Sequence, residues 1–369
     1  MPESGGTRLL QVITDTDRRG PQVFSVELES ALAYRGHRVR TVALAPGRDR
    51  DGLPVQVLGR RRMSLTTLRN LRLEARANDV VIGHGSSTLP ACSMALRGMD
   101  TTLIQRNIGE PLYWGSSRGR RARTRYWLRR ADYVVALWDG AASELTAHFG
   151  VPGRTLHVIP RGAPADRFSP IGREERAGTR RRLDLHPSAP IVMFVGALAG
   201  EKRVDLAIRA VGMIQEATLV VVGEGPERRR LERLADSQAP GRVRFLGSTR
   251  DTAGVLGAAD VVVLPSLTEG IPAILIEAGM SAVPVVATSV GGIPEVVEDG
   301  LTGRLVPPAD LAALTGAIRE VLRSGNEMGQ RARARCIERF ELGRVADRWD
   351  QLLRELQPGR ESGRGKRAA

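Results

Sequence analysis

Two carboxylates, Glu269 and Glu277, lie eight residues apart on either side of a predicted helix start. The β-branched run at 260–265 predicts a buried strand, and Pro272 is a residue type favoured in the first turn of a helix. A helix that follows a parallel strand presents free N–H groups and the positive end of its dipole, which favour a phosphate. Glu269, in the loop, can face a sugar hydroxyl, and Glu277, in the second turn, can reach a ribose. A loop acid followed by a surface acid on a helix would give the same spacing.

A much longer ordered pattern surrounds these two acids. Residues 265–308 resemble the donor-site signature of family 4 glycosyltransferases, which are retaining enzymes of the GT-B fold. The resemblance includes the spacing of the two acids and a glycine pair after the next predicted strand. The matching residues are Pro265, Ser266, Glu269, Gly270, Glu277, Val290, Gly291, Gly292, Pro294, Glu295, Asp299, Gly300, Gly303, Val306, Pro307 and Pro308.

The resemblance implies a role for each part of this segment. Glu269 would contact hydroxyls of the donor sugar, and Glu277 would accept hydrogen bonds from the ribose hydroxyls. Pro272 has no N–H to donate, so the amides that hold the phosphates come from its neighbours. The loop and helix start that would hold the sugar and the diphosphate consist of Gly270, Ile271, Pro272 and Ala273.

The resemblance continues upstream, beginning with residues 195–211. Lys202 matches the family lysine that reaches the diphosphate, whereas Ala197 occupies the position of the family's arginine. Gly223 and Gly225 match a second glycine motif, in which the backbone approaches a ligand. Without the resemblance, Lys202 is typical of a solvated surface lysine. The two glycines equally indicate a tight turn from a strand into a helix.

The N-terminal half matches the family less fully. Gly20 stands in the glycine-rich first loop, close to the donor phosphate, but Pro21 follows it in place of a second glycine. After the fourth strand, where the family often has a histidine near the reacting sugar, this chain has Arg106 and Asn107. An arginine there can pair with a phosphate or an acidic acceptor, or it can lie on the surface. His84, after the third strand, is interpreted as structural.

Short β-branched runs alternate with helical patterns along the chain, which predicts parallel sheets covered on both faces. A polar stretch at 163–190 separates two such series, and Arg161 precedes it at a position where the family commonly has asparagine. The predicted strands are 9–13, 39–44, 79–83, 101–104, 132–137 and 156–160 in the first series, and 191–196, 217–223, 243–247, 260–265, 283–288 and 303–306 in the second.

We therefore predict an α/β protein with the GT-B fold, in which a cleft separates two Rossmann-like domains. Residues 1–169 would form the acceptor-side domain and residues 170–342 the donor-binding domain. Residues 343–358 would cross back to the first domain as a helix, and residues 359–369 would form a disordered basic tail.

The formal net charge of +14 favours an anionic partner, such as phosphorylated small molecules or an acidic lipid surface. An arginine-rich surface without a specific role would give the same composition. Segment 118–130 interleaves arginines with aromatic residues, so it could lie on an anionic membrane or simply coat a solvent-exposed face. No recognised nucleic-acid motif supports binding to DNA or RNA. The arginines considered for membrane contact are Arg118, Arg120, Arg121, Arg123 and Arg125.

Other features restrict the compartment and the cofactors. No apolar run approaches the roughly 20 residues of a membrane-spanning helix, and the first residues lack a signal-like pattern, which predicts a cytoplasmic protein. Cys92 and Cys336 have no ligand-like spacing. The triplet from Asp15 to Asp17 resembles a metal-binding motif of another glycosyltransferase fold but is interpreted here as a loop. No metal or other cofactor is expected.

The expected reaction is retaining transfer of a sugar from a UDP- or GDP-sugar to a hydroxyl of a glycan, a lipid-linked acceptor or a small molecule. Lys202 and the helix start would stabilise the leaving diphosphate, with Glu269 as the second catalytic residue. The resemblance implies that the leaving phosphate itself takes the acceptor's proton. The alternative is a catalytically silent sugar-nucleotide-binding or scaffold protein, suggested by Ala197, the missing histidine and the single Gly20.

Overall fold

The computed structural model describes residues 6–48, 51–114 and 117–356, so the tail predicted at 359–369 lies outside the described residues. Two parallel β-sheets, each flanked by helices, account for most of the chain. The fold is therefore the α/β architecture that the sequence predicts.

The first sheet has seven parallel strands in the order β3-β2-β1-β4-β5-β6-β7. The central strand β1 pairs with β2 on one side and with β4 on the other. Its residues Leu9, Leu10 and Val12 are fully buried, as expected for a parallel strand that is covered on both faces. The strands are β1 (Arg8–Ile13), β2 (Arg38–Ala43), β3 (Gln56–Val57), β4 (Val80–His84), β5 (Thr102–Arg106), β6 (Tyr133–Ala136) and β7 (Leu156–Val158).

The second sheet has six parallel strands in the order β10-β9-β8-β11-β12-β13. Chain order reverses between β8 and β11, which are hydrogen-bonded neighbours. In open parallel sheets this point leaves a crevice at the carboxyl ends of the strands, where ligands bind. The strands are β8 (Ile191–Val195), β9 (Thr218–Val222), β10 (Val243–Gly247), β11 (Val261–Leu264), β12 (Val285–Thr288) and β13 (Gly303–Val306).

Helices connect the strands and cover the sheets. In the first half they are α1 (Gly20–Ala33), α2 (Leu65–Arg76), α3 (Leu89–Ala95), α4 (Pro111–Trp114), α5 (Arg118–Leu128) and α6 (Asp139–Phe149). In the second half they are α7 (Arg173–Arg182), α8 (Val204–Gly212), α9 (Arg228–Gln238), α10 (Thr252–Leu256), α11 (Ala273–Met280), α12 (Ile293–Val296), α13 (Leu311–Ser324), α14 (Asn326–Phe340) and α15 (Leu342–Glu355).

The last helix, α15, packs against the first sheet's domain rather than the second. Trp349 is fully buried and shares an apolar cluster with Phe24 and Leu28 of α1. Two polar contacts fix the same interface: the His37 ring nitrogen Nε2 lies 2.9 Å from Asp350 Oδ1, and Arg35 pairs with Asp347 at 2.6 Å. The helix α15, which follows the second sheet in the chain, therefore ties the two domains together.

All twelve predicted strands are present, with ends within two residues of those expected. The sequence analysis missed β3, because its two residues, Gln56 and Val57, are both exposed and leave no apolar pattern. Within the described ranges, no helix is long and apolar enough to cross a bilayer.

Candidate functional site

Lys202 and Glu269 meet at the carboxyl ends of β8 and β11, where the order of the second sheet reverses. The Nζ atom of Lys202 donates to Glu269 Oε1 at 2.6 Å. The hydroxyl of Ser266 donates to the same oxygen at 2.7 Å. Both side chains are mostly buried, with 22% and 9% of their surface exposed. Lys202 is therefore not a solvated surface lysine, and its charge lies in the crevice beside the loop acid.

The glycine pair of the sequence motif supports the loop that carries Glu269. Gly291 has φ +53° and packs so closely that a Cβ atom there would lie 1.9 Å from the Glu269 carbonyl oxygen. The amide of Gly292 donates to the carbonyl of Gly270 at 3.0 Å. The motif therefore holds the Glu269–Gly270 backbone against the start of the next helix, which only glycine permits.

Glu277 lies on the second turn of α11 and faces the first domain. Burial raises the pKa of its carboxyl group, and the nearby Arg161 guanidinium opposes that rise. Glu27 of α1 is a second acid in this group, and its pKa is also raised, first of all by burial. The alternative of a surface acid on a helix is therefore wrong for Glu277, which belongs to a charged cluster between the domains.

The N-termini of α1 and α11 approach each other next to Arg161. A Cβ atom placed on Gly20 would lie 2.9 Å from Arg161 Nη1 and 3.8 Å from the Cβ atom of Ala273. Arg161 is 5% exposed, and its Nε atom has no hydrogen-bond partner among the described residues. Two helix N-termini, with their positive dipole ends, thus approach one place between the domains, where the charge of Arg161 is balanced by Glu277 and Glu27.

Gly223 and Gly225 pack the loop after β9 against the loop after β8. Added Cβ atoms would lie 1.9 Å from the Gly196 carbonyl oxygen and 2.4 Å from that of Leu198. This close approach explains both glycines as a tight turn. Their contact with a donor, which the resemblance implies, stays a prediction.

Arg106 is not a surface residue. It is 1% exposed, its guanidinium stacks 4.2 Å from the Phe24 ring centroid, and its Nε and Nη1 atoms have no described hydrogen-bond partner. Burial, with a smaller contribution from Arg161, lowers the pKa of Arg106 to about 9. The side chain therefore remains charged at neutral pH and lies behind the cleft wall, whereas Asn107 is one of the residues that line the cleft.

His84 is buried at the end of β4, as the structural interpretation requires. Its Nε2 atom lies 2.9 Å from Gln11 Oε1, and its Nδ1 atom has no partner among the described residues. Burial and the charge of Arg106 lower its pKa well below the ordinary value. The ring is therefore neutral, and because Gln11 offers an oxygen, Nε2 carries the proton.

A cleft of about 970 Å³ lies between the domains and contains Lys202 and Glu269. The Thr268 hydroxyl donates to Glu110 Oε2 across it at 2.7 Å. The wall formed by the first domain includes residues from five segments of the chain. These wall residues are Ile13, Thr14, Arg19, Pro21, Gln22, His84, Gly85, Ser86, Ser87, Leu89, Pro90, Asn107, Ile108, Gly109, Glu110, Pro111, Arg120, Arg123, Thr124, Trp127, Leu145 and Phe149.

The acidic triplet after β1 is bound by basic side chains of the protein. Asp15 pairs with Arg19 and Arg62, each at 3.3 Å, and Asp17 pairs with Arg19 at 2.5 Å. The Asp17 carboxylate also accepts from the backbone amide of Arg48 at 2.5 Å. No group of three or more potential metal ligands occurs in the part of the chain that the structure describes.

Two parallel α/β domains form the fold, and the lysine–glutamate pair lies at the switch point of the second sheet, beside the cleft. Comparison with known proteins assigns this arrangement to the GT-B glycosyltransferases. The family model described as "Glycosyltransferase Family 4" matches residues 18–167, and the model "Glycosyl transferases group 1" matches residues 189–324. Together these models cover most of both domains. The chain belongs to glycosyltransferase family 4, and it is an enzyme that transfers a sugar from a nucleotide-sugar donor.

Individual relatives agree with this assignment. The chain is 29% identical over 344 residues to the lipopolysaccharide core biosynthesis glycosyltransferase LpsE of Rhizobium meliloti, which covers 90% of this chain and 95% of that protein. It is 28% identical over 267 residues to the alpha-D-kanosaminyltransferase of Streptomyces kanamyceticus, covering 69% of this chain and 67% of that protein. The solved structure of HepE from Anabaena with UDP-glucose superposes with a TM-score of 0.85 at 19% identity, covering 95% of this chain and all of HepE. That likeness shows the shared fold.

Proposed function

We propose that this glycosyltransferase retains the anomeric configuration of a UDP- or GDP-sugar and delivers the sugar to an acceptor hydroxyl in the cleft. The observation that carries the proposal is the Lys202–Glu269 pair, 2.6 Å apart, beside the start of α11. HepE was solved with UDP-glucose, which supports a uridine donor. The similarity to LpsE, whose name refers to lipopolysaccharide core biosynthesis, supports a glycan or lipid-linked acceptor.

The proposed reaction exchanges one bond for another at the anomeric carbon of the donor sugar. The bond from that carbon to the diphosphate oxygen breaks, and a bond to the acceptor oxygen forms. The acceptor's proton passes to the leaving phosphate oxygen, so no side-chain base is required. Lys202 and the free amides at the start of α11 stabilise the charge that develops on the diphosphate.

Glu269 positions the donor sugar in this proposal. Its Oε1 atom is occupied by Lys202 and Ser266, whereas no described residue donates a hydrogen bond to its Oε2 atom. Oε2 can therefore accept from a sugar hydroxyl without breaking the ion pair. Glu277 would accept from the ribose hydroxyls, and the backbone of Gly270 and Ile271 would contact the sugar. Gly20, Gly223 and Gly225 would border the phosphates.

The domain roles follow from the same arrangement. Residues 170–342 contain Lys202, Glu269 and Glu277 and would bind the donor, and residues 1–169 would hold the acceptor. Residues 343–358 include α15, which contacts α1 and would keep the acceptor side fixed to the donor side.

The donor is tested by thermal shift with UDP-, GDP-, ADP- and dTDP-sugars. A donor at 100 times its dissociation constant adds about 2.7 kcal/mol to the free energy of unfolding, which is easily measured. We expect one uridine or guanosine donor to stabilise the protein. Stabilisation by an adenosine or thymidine donor alone would contradict the proposed base.

The role of Lys202 is tested by comparing Lys202→Ala with Lys202→Arg. Removing the charge opposite the leaving group should lower the turnover number about 100-fold or more, and arginine should restore part of it. Product NMR with the best donor then shows whether the anomeric configuration is retained. Equal, wild-type turnover of the two variants would contradict the assignment.

We also propose that the protein is cytoplasmic and associates with the inner membrane face through α5. Arg118, Tyr126 and Arg129 are exposed and do not line the cleft, so they are available to an anionic lipid surface. Each basic residue near such a surface contributes about 1 kcal/mol. Arg118→Gln with Arg129→Gln should reduce sedimentation with phosphatidylglycerol vesicles at low salt. If the wild-type protein does not sediment with these vesicles at low salt, the proposal is contradicted.

A further inference from the structure

One face of α5 belongs to the catalytic cleft. Arg120, Arg123, Thr124 and Trp127 all line it, and their spacing of three, four and seven residues places them on one side of a helix. The cleft that they line also contains Lys202 and Glu269. A molecule that fills the cleft can therefore contact α5 at one end and the catalytic pair at the other.

The two arginines on this face are available to a ligand. Arg120 and Arg123 are exposed, and neither side chain forms an ion pair with any residue in the described ranges. Arg19, on the same wall, is neutralised by Asp15 and Asp17. Arg120 and Arg123 therefore carry positive charge on this wall that no described carboxylate pairs with directly.

Two acids on this side of the cleft form hydrogen bonds with other groups, and neither forms an ion pair with these arginines in the part of the chain that the structure describes. Glu110 lines the same wall, but its Oε2 atom accepts the Thr268 hydroxyl at 2.7 Å across the cleft. Glu144, on the neighbouring helix α6, accepts the Leu112 amide at 3.1 Å. An acceptor with a positively charged amine would meet unpaired like charge here, which is unfavourable.

Next to the arginines, the wall offers a hydroxyl and an aromatic surface. Thr124 and Trp127 are partly buried, and Leu145 and Phe149 of α6 lie behind them in the same wall. Arginine pairs strongly with phosphate because its planar group donates two parallel hydrogen bonds. A phosphate with a polyol or a lipid attached would therefore find both of its parts matched on this face.

We propose that Arg120 and Arg123 form a phosphate-binding subsite for the acceptor, so that the acceptor is a phosphate ester and not a neutral or amino sugar. This inference rests on the proposed function and specifies its acceptor. The phosphate could belong to a soluble polyol phosphate or to a lipid-linked phosphate, since both present the same group.

The test compares two double variants of the same helix. Arg120→Gln with Arg123→Gln changes the cleft face, and Arg118→Gln with Arg129→Gln removes the same charge from the outer face. Binding of glycerol 3-phosphate and of dodecyl phosphate below its micelle concentration is measured by calorimetry on full-length protein. The cleft variant loses charged hydrogen bonds to the phosphate, so its affinity for both esters should fall about tenfold or more. The affinity of the outer variant should change little.

A third variant separates this subsite from the donor site. Lys202→Ala should bind both phosphate esters like the wild type, because Lys202 faces the donor diphosphate. The cleft variant should still be stabilised by the best nucleotide sugar in thermal shift. A defect in donor binding can therefore be told apart from a defect in phosphate-ester binding. If dodecyl phosphate binds more tightly than glycerol 3-phosphate, the acceptor phosphate is lipid-linked. If the two bind equally well, the acceptor is a soluble phosphate ester.

Three results would overturn the subsite. The first is wild-type affinity for both phosphate esters in the cleft variant. The second is an equal loss of affinity in the outer variant, which would show that binding depends only on the net charge of the protein. The third is a loss of affinity for the phosphate esters in Lys202→Ala alone, which would show that they bind in the donor site.

Discussion

The substitution Gly291→Ala should damage the active site from a distance through the backbone of Glu269. The added Cβ atom would lie 1.9 Å from the Glu269 carbonyl oxygen, whereas real contacts of this kind stay above 3.0 Å. The loop must therefore shift by roughly 1 Å, and misplacement of that size costs about 100-fold in rate. Alanine at φ +53° adds about 1–2 kcal/mol of backbone strain.

A matched control separates this displacement from strain alone. Gly241 has φ +70° and no atom within 4 Å of an added Cβ, and it precedes β10 at the sheet edge opposite the cleft. Gly241→Ala should lose the same 1–2 kcal/mol in urea denaturation, with wild-type turnover of the nucleotide sugar. If Gly291→Ala turned over donor as fast as Gly241→Ala, the support that Gly291 gives to Glu269 would be refuted.

Two further predictions concern Glu277 and the last helix. Burial raises the pKa of Glu277, and under the proposed function its ionised form accepts from the ribose hydroxyls. Donor affinity should therefore weaken as pH falls, beginning above the usual range for carboxyl groups. Glu277→Gln should bind the donor more weakly at neutral pH and lose this pH dependence, and an unchanged pH profile would contradict the role. Trp349 is fully buried between α15 and the first domain. Trp349→Ala should therefore reduce the free energy of unfolding, measured by urea titration, by about 3–5 kcal/mol. A loss under about 1 kcal/mol would show that α15 does not hold the domains together.

The strands and the pairing of Lys202 with Glu269 could be predicted from the sequence because local patterns specify them. A run such as Ile191–Val195 is buried on both faces of a parallel sheet, so its apolar residues are continuous. Glu269 and Lys202 lie in the loops that follow two such strands, and loops at the carboxyl ends of adjacent strands meet. Strand order and chain spacing therefore bring the pair together.

Burial between the domains could not be predicted, because it depends on residues far apart in the chain. Arg106 and Arg161 have no local pattern that distinguishes a buried arginine from a surface one. Their burial follows from the packing of α1 and the link between the domains around Phe24.

The sequence also did not predict which face of α5 points into the cleft. Arginines occur on every side of this helix, and Leu128 is its one buried residue among the described ones, so no apolar stripe shows which face points inward. The structure places Arg120 and Arg123 in the cleft, and this divides the basic segment into a cleft face and an outer face.

The most direct test of the account is the rate of nucleotide diphosphate release by wild type and by Glu269→Gln, with the donor that stabilises the wild type best. Glutamine keeps the size of the side chain but removes the charge that pairs with Lys202 at 2.6 Å. It also replaces one of the two carboxylate oxygens, which under the proposed function accept from Lys202 and from the sugar, with an amide that cannot accept a hydrogen bond. We predict a loss of about 100-fold or more in the turnover number. Wild-type turnover in Glu269→Gln would contradict the claim that this pair in the cleft carries the reaction.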